Sequence, residues 1–352
     1  MAWTRDALIE RFNFSARGDF TTSPLYRTLS AYTASDSALL DLAEHCRVGQ
    51  QPANLLLASV HYLLLAGTDH ELKNFYPSIV GDAALSPDGA GPAFQAFSLE
   101  HHDEIAGLLA TRLVQTTVVK RAAALRLGLM VIAQREAEPI TLLDIGTGTG
   151  SHLLFDRYRY CVGDQEFGDR SSSVRIDVEW RGEASVPDLG GIPVIAHRLG
   201  VDLNPVDLSD PDQRHWLRAL VWPENDHEAE LLEATLATVA AHQPEIIRGD
   251  ILDIAKSIAS DNLSDAPLVV FHAATRAHIP PERREEFDNA IRNFSDGRTL
   301  YWLSLEGGVL PEPRKAGAAF ILTLRTVSQG NEQTEYLALV EGHGDWIEPL
   351  NM

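Results

Sequence analysis

Apolar residues recur at three- and four-residue spacing through the first third of the chain, in the stretches 37–46, 52–66 and 100–134, and this periodicity predicts helices. Breakers separate them, Gly67-Thr68-Asp69 and Ser86-Pro87-Asp88-Gly89 among them, and Pro52 suits a first helical turn. In the last stretch Leu108, Leu109, Leu113, Val118, Val119, Leu125, Leu129 and Ile132 suffice for one long helix or two abutting ones. Residues 1–135 therefore read as a helical domain.

Beyond Pro139 the grammar changes to short apolar runs alternating with helical segments, the signature of βαβ units and a largely parallel sheet. Strands are predicted at 140–144, 199–202, 246–248, 268–272, 299–305, 319–326 and 334–341, and helices at 150–158, 210–220, 227–242, 251–260 and 281–293. The last two strands flank Gln329-Gly330-Asn331, which predicts an antiparallel hairpin. One stretch breaks the alternation: Val174 to Trp180 alternates apolar with polar, as a half-exposed strand does, and 171–195 reads as an inserted β-hairpin within an insertion at about 161–197. The fold class expected for 136–352 is α/β, a doubly wound, mostly parallel sheet of seven strands ending in an antiparallel hairpin.

The run Leu142-Leu143-Asp144-Ile145-Gly146-Thr147-Gly148-Thr149-Gly150-Ser151-His152 carries the most chemistry. A strand enters, glycines allow a tight turn and close approach of a ligand to the backbone, and a helix is expected to follow with free N–H groups. A dinucleotide site would prefer GxGxxG, whereas here the third glycine comes one residue early. The pattern, GxGxG with an acid two residues before it, resembles the first motif of the class I S-adenosylmethionine-dependent methyltransferases. That resemblance implies Gly146, Thr147, Gly148 and Gly150 against the amino-acid part of the cofactor and Asp144 near its ammonium group. The bland alternative is a glycine-rich turn that holds nothing.

The likeness runs in element order from about Ile140 to the C-terminus. It implies Asp202, in Leu199-Gly200-Val201-Asp202, as the acid that accepts from the ribose hydroxyls, and Asp250 and Ile251 as the pair bordering the adenine. Glu179, Asp207 and Asp226 are rivals to Asp202, because the 52-residue step from Gly150 to Asp202 exceeds what one helix needs. With Phe155-Asp156-Arg157-Tyr158-Arg159-Tyr160 and Trp216-Leu217-Arg218-Ala219-Leu220-Val221-Trp222-Pro223, the chain looks like a bacterial family of unknown function built on the methyltransferase fold.

Ligands of open α/β sheets bind beyond the carboxyl ends of the strands, so polar residues there are the first catalytic candidates. The predicted fourth strand ends at His272, whose imidazole would serve as a base for an oxygen or nitrogen nucleophile, or merely cap the strand. It lacks the Asp/Asn-Pro-Pro-aromatic segment that the amino-directed members of the resembled family carry. Glu306, ending the fifth strand, would orient His272 or a substrate cation, or stand as an exposed acid. Thr117 and Arg121, four apart on one predicted helical face, are the substrate-binding candidates; Arg121 would pair with a substrate carboxylate or an internal acid. His101 and His102 diverge around their helix and leave no metal site.

Charge narrows the partners. With 29 Lys and Arg against 50 Asp and Glu the net charge is −21, without a basic block, which excludes nucleic acid and anionic membrane surfaces as expected partners. Cys46 and Cys161 form no CxxC pair, and no secretory or membrane-spanning segment is read, so a cytoplasmic location is expected. The expected function is S-adenosylmethionine binding with methylation of a small molecule, the helical region covering the pocket. The alternative is a regulatory protein that binds the same ligand or its demethylated product; a nicotinamide-dependent oxidoreductase and a GxSxG hydrolase fit less well.

Overall fold

Proline at the first helical position opens helices Pro24–Thr33, Pro52–Leu65 and Pro211–Ala219, where its missing N–H has no intrahelical partner to lose. Ser23 and Asp36 cap their helices by accepting from the backbone N–H of Tyr26 and Leu39. The computed structural model describes residues 3–261, 263, 266–308 and 319–350. It divides the chain into two units, Met1–Thr116 with Asp210–Glu230, and Thr117–Ser209 with Leu231–Met352. Segment 210–230, read above as part of the α/β region, thus completes the helical unit, and 117–135 belongs to the sheet unit. Among the described residues, no helix is long and apolar enough to cross a membrane.

The helical unit is organised around Pro52–Leu65, apolar on nearly every face and buried as such a helix must be. Within it His61 is fully buried; Nδ1 donates to the Ala219 carbonyl at 3.0 Å and Nε2 accepts from Ser78 Oγ at 2.8 Å. Burial pushes its pKa down to about 3, and the Arg218 charge adds to this. The unfolded chain then binds a proton that the fold refuses, so stability is complete above about pH 6.5 and is lost as the pH falls toward 3. Urea unfolding of the helical unit should show a loss of about 2 kcal/mol between pH 7 and pH 5. A midpoint unchanged over that range would contradict the neutral buried histidine.

Of the readings for 100–134, one long helix or two abutting ones, two helices form, but they are separated and do not abut. Ala90–Glu100 and His102–Thr111 end before an extended segment, and the chain resumes as a 3-10 turn, Val119–Arg121, and helix Ala122–Ala133. Thr117 lies in the extended segment and Arg121 in the 3-10 turn, so they share no helical face. Thr116-Thr117-Val118-Val119 is rich in β-branched residues, which lose χ1 freedom in a helix, and apolar spacing alone did not register this.

The sheet unit holds β1 (Ile140–Ile145), β2 (Arg159–Val162), β3 (Gln165–Gly168), β4 (Arg175–Trp180), β5 (Ile195–Asp202), β6 (Glu245–Arg248), β7 (Leu268–Ala273), β8 (Leu300–Gly307), β9 (Ala319–Ser328), β10 (Asn331–Glu341) and β11 (Trp346–Pro349). They form one sheet of eleven strands, ordered β3-β2-β4-β11-β10-β9-β8-β7-β1-β5-β6. Five parallel strands, β6-β5-β1-β7-β8, make one end of it with β6 at the edge, and β8, β9 and β10 follow as an antiparallel meander. Neighbouring residues of β1, β7 and β8 bury on opposite faces: Leu142, Val269 and Leu303 lie on the side of helix Ala122–Ala133, and Leu143, Val270 and Trp302 on the side of helices Ile251–Asp261 and Arg284–Arg292. The sheet is thus α/β and mostly parallel, with helices on both faces.

Two expectations need correction. The sheet has eleven strands and not seven, because β2, β3, β4 and β11 extend it. No hairpin forms within 171–195; the hairpin lies earlier, at β2 and β3 around Gly163-Asp164, while β4 pairs in parallel with β2 and with β11. Val174 to Trp180 does alternate as a strand, but its partners lie before it and near the C-terminus, and no local pattern carries that information.

Candidate functional site

After β1 the chain proceeds to β5 and β6 on one side, then crosses to β7 and β8 on the other. The order reverses at β1, and beyond the carboxyl ends of β1 and β7 lies the crevice where open α/β sheets bind ligands. The glycine run sits there. Gly146, Gly148 and Gly150 all have positive φ, at 78°, 56° and 79°. Gly146 is exposed and Gly148 half-buried.

The main-chain amides are engaged. Gly146 N–H donates to the Val201 carbonyl at 2.8 Å, Gly148 N–H to Asp202 Oδ2 at 2.7 Å and Gly150 N–H to the Thr147 carbonyl at 2.9 Å, with a longer bond from Thr147 to Val201. The expected helix 150–158 is a seven-residue 3-10 element, Ser151–Arg157, interrupted at Leu154, so it offers no helix terminus to an anion. Arg198 explains its form: NH1 takes the Leu153 carbonyl and, with NH2, the Asp156 carboxylate, which ties the segment down to β5.

Asp202 closes the loop from the β5 side. Oδ2 accepts from Gly148 and Oδ1 from Asn204 N–H, each at 2.7 Å. The residue after it, Leu203, is 61% exposed, an apolar side chain at the mouth of the crevice. Asp250 accepts from Leu252 N–H at the start of helix Ile251–Asp261 and lies 3.6 Å from Arg283. Gly249 N–H donates to the Asp202 carbonyl, so the ends of β5 and β6 are joined. Ile251 is buried in the apolar layer with Leu199 and Val201. Of the rivals to Asp202, Glu179 pairs with Arg181 on β4 and Asp207 accepts from Ser209.

Asp144 is buried beneath the loop and accepts from Thr147 Oγ1 at 2.7 Å. Burial pushes its carboxyl up to about 7 against the lowering effect of that hydrogen bond, and the neighbouring Asp202 carboxylate raises it further. Among the described residues, no group of three His, Cys, Asp or Glu could hold a metal ion.

On the β7 side, His272 is fully buried and both its nitrogens are engaged: Nδ1 donates to Glu306 Oε1 at 2.7 Å and Nε2 accepts from Trp302 Nε1 at 2.9 Å. The same Glu306 oxygen accepts the backbone N–H of Thr275 and of Arg276, each at 2.9 Å. Burial opposes its charge, but these donors hold its carboxyl below the usual range. Together they clamp the turn after β7, in which Ala274 has a φ of 56°. Thr275 Oγ1 donates to the Ile145 carbonyl at 3.0 Å and packs on Gly146 so closely that a Cβ there would lie 2.4 Å from it. His272 and Glu306 thus hold the turn that touches the glycine loop.

The structure therefore brings Asp144, the glycine run, Asp202 and Asp250 together, and joins His272 and Glu306 to them through Thr275. Sequence reasoning missed Thr275, Leu203 and Arg198; Leu203 carried a signal, an apolar residue directly after the strand-end acid. The family model described as "Uncharacterized protein conserved in bacteria (DUF2332)" matches residues 9–348, and the chain belongs to that family. No curated protein matches it.

Proposed function

We propose that the crevice at the carboxyl ends of β1, β5, β6 and β7 binds S-adenosylmethionine, and that this chain transfers its methyl group to a small molecule in the cytoplasm. The observation that carries the reading is the glycine run at the point where strand order reverses, bonded to the strand-end acid Asp202. The donor set suits a nucleoside. Asp202 and Asp250 supply carboxylates at the ends of β5 and β6, Leu203 offers an apolar surface to a ring, and the buried Asp144 favours a cation above the loop. Gly146 remains exposed beside its contact with Thr275, which leaves main chain for a ligand to approach.

When bound, S-adenosylmethionine supplies the reactive methyl on a sulfonium, so the protein's part is chiefly alignment. His272 and Glu306 act here as positioning residues, because a sealed imidazole with both nitrogens engaged meets no substrate. The same sealing favours a second reading, a regulatory protein that binds the ligand without turnover.

Calorimetry of the full chain with S-adenosylmethionine and S-adenosylhomocysteine tests the first claim. Binding is expected, weakened at least about tenfold in Asp202→Ala, the loss of a hydrogen bond to a charged group. Heat from neither ligand would remove the proposal. Labelled methyl transfer to lysate metabolites separates the two readings: incorporation identifies the enzyme, and binding without incorporation identifies the regulator.

A further inference from the structure

The Val118 carbonyl is shared by two groups beside the proposed ligand crevice. It accepts the backbone N–H of Arg121 at 3.3 Å and faces Nε2 of His152 at 3.3 Å, and the Arg121 guanidinium is near enough for its charge to act on the imidazole. His152 stands two residues after Gly150, its ring edge-on to Phe271 with centroids 5.6 Å apart. Since Nε2 faces a carbonyl it carries the proton, and Nδ1 keeps its lone pair. No partner for Nδ1 is found among the described residues, and the side chain is half-buried. Burial pushes the imidazole down to about 4, and the Arg121 charge adds to this, so it stays neutral and accepting near pH 7.

Arg121 is the complementary half. Nε and NH2 both donate to the Gly342 carbonyl, at 2.9 and 2.8 Å, and the guanidinium lies over the Phe320 ring at 5.1 Å. NH1 has no hydrogen-bond partner among the described residues. Burial lowers its pKa to about 10, yet Glu306 and Glu341 favour its charged form, and both of these carboxyls lie below their usual range. The guanidinium charge is thus already answered by two carboxylates of the protein. Of the two partners expected for Arg121 from sequence, a substrate carboxylate or an internal acid, the internal acids are the ones beside it, which leaves little need for an anionic ligand.

The geometry points to a hydroxyl-binding subsite at Arg121 and His152 for a neutral alcohol or phenol, the acceptor of the proposed site. The ligand oxygen accepts from Arg121 NH1, its O–H donates to His152 Nδ1, and Phe320 borders its apolar body. This rests on the methyltransferase reading for its purpose, though not for its geometry.

The test uses the full 15N-labelled chain, with phenol as the probe and benzoate and benzylamine as controls, with and without S-adenosylhomocysteine. Phenol should shift the unprotonated Nδ1 resonance of His152, and bind more tightly than either control. His152→Gln and Arg121→Lys should each weaken phenol at least about fivefold, the loss expected of one hydrogen bond and more where the donor is charged, with S-adenosylhomocysteine affinity unchanged. A proton on Nδ1 in the native chain, or benzoate binding as tightly as phenol, would overturn the subsite even if the variants fail to fold. S-adenosylhomocysteine binding without phenol would sink the subsite alone; phenol contact without S-adenosylhomocysteine would sink the adenosyl reading alone.

Discussion

Gly146→Ala is expected to destabilise the sheet unit by about 3 kcal/mol and to abolish adenosyl-ligand binding, although it adds a single methyl group. Two costs combine. An L side chain in the left-handed region costs roughly 1–2 kcal/mol, and Gly146 has φ of 78°. The added Cβ would also stand 2.4 Å from Thr275 Oγ1 and 2.8 Å from its Cγ2. Thr275 cannot easily turn aside, being β-branched and bonded to the Ile145 carbonyl, and breaking that bond costs about 1 kcal/mol more. A double-mutant cycle separates the terms. In the Thr275→Ala background the added methyl meets less, and the penalty of Gly146→Ala should fall toward the backbone cost alone, a coupling of about 1 kcal/mol or more. Native-state hydrogen exchange of the β1 amides reads the stability of this region directly. Strict additivity would show that the turn after β7 does not press on the glycine loop, and the positioning role of His272 and Glu306 would go with it.

The same contact shows what a sequence conveys and what it withholds. The glycine run, the strand before it and the acids ending β5 and β6 are local signals, because a tight turn and a buried parallel strand each require particular residue types in a short span. The five parallel strands follow from periodicity for that reason. What stayed hidden depends on partners distant in the chain. β4 needs β2 and β11, and Arg121 needs a carbonyl more than two hundred residues away. The element after the glycine run illustrates the limit from the other side: 150–158 is apolar enough for a helix, but Arg198 on β5 pulls the Leu153 carbonyl and Asp156 toward itself, and the segment tightens to a 3-10 form. His272 was conspicuous as a lone histidine at a strand end, and only the packing of Trp302 and Glu306 reveals that it faces inward.

Affinity for S-adenosylmethionine is expected to fall about tenfold for each pH unit below 7 and to level off above it, and Asp144 is the reason. Its carboxyl titrates near 7 because burial opposes the charge and the Asp202 carboxylate beside it opposes it further. A cation seated above the loop favours the ionised form, so below pH 7 binding must expel a proton. Without ligand the sign is reversed for stability. The fold holds this proton more tightly than the unfolded chain does, so the contribution is fully present below about 4 and is lost as the pH rises through about 7. At pH 8 the ionised, unliganded Asp144 then costs about 4 kcal/mol, a strain that the ligand relieves. Asp144→Asn should remove both effects: greater stability at pH 8, and a weaker affinity that no longer varies between pH 6 and 8. Calorimetry across that range, in buffers of different ionisation enthalpy, counts the proton released. Native affinity that is flat from pH 6 to 8 would mean that no positive charge comes near Asp144, and the glycine run would have to face some other ligand.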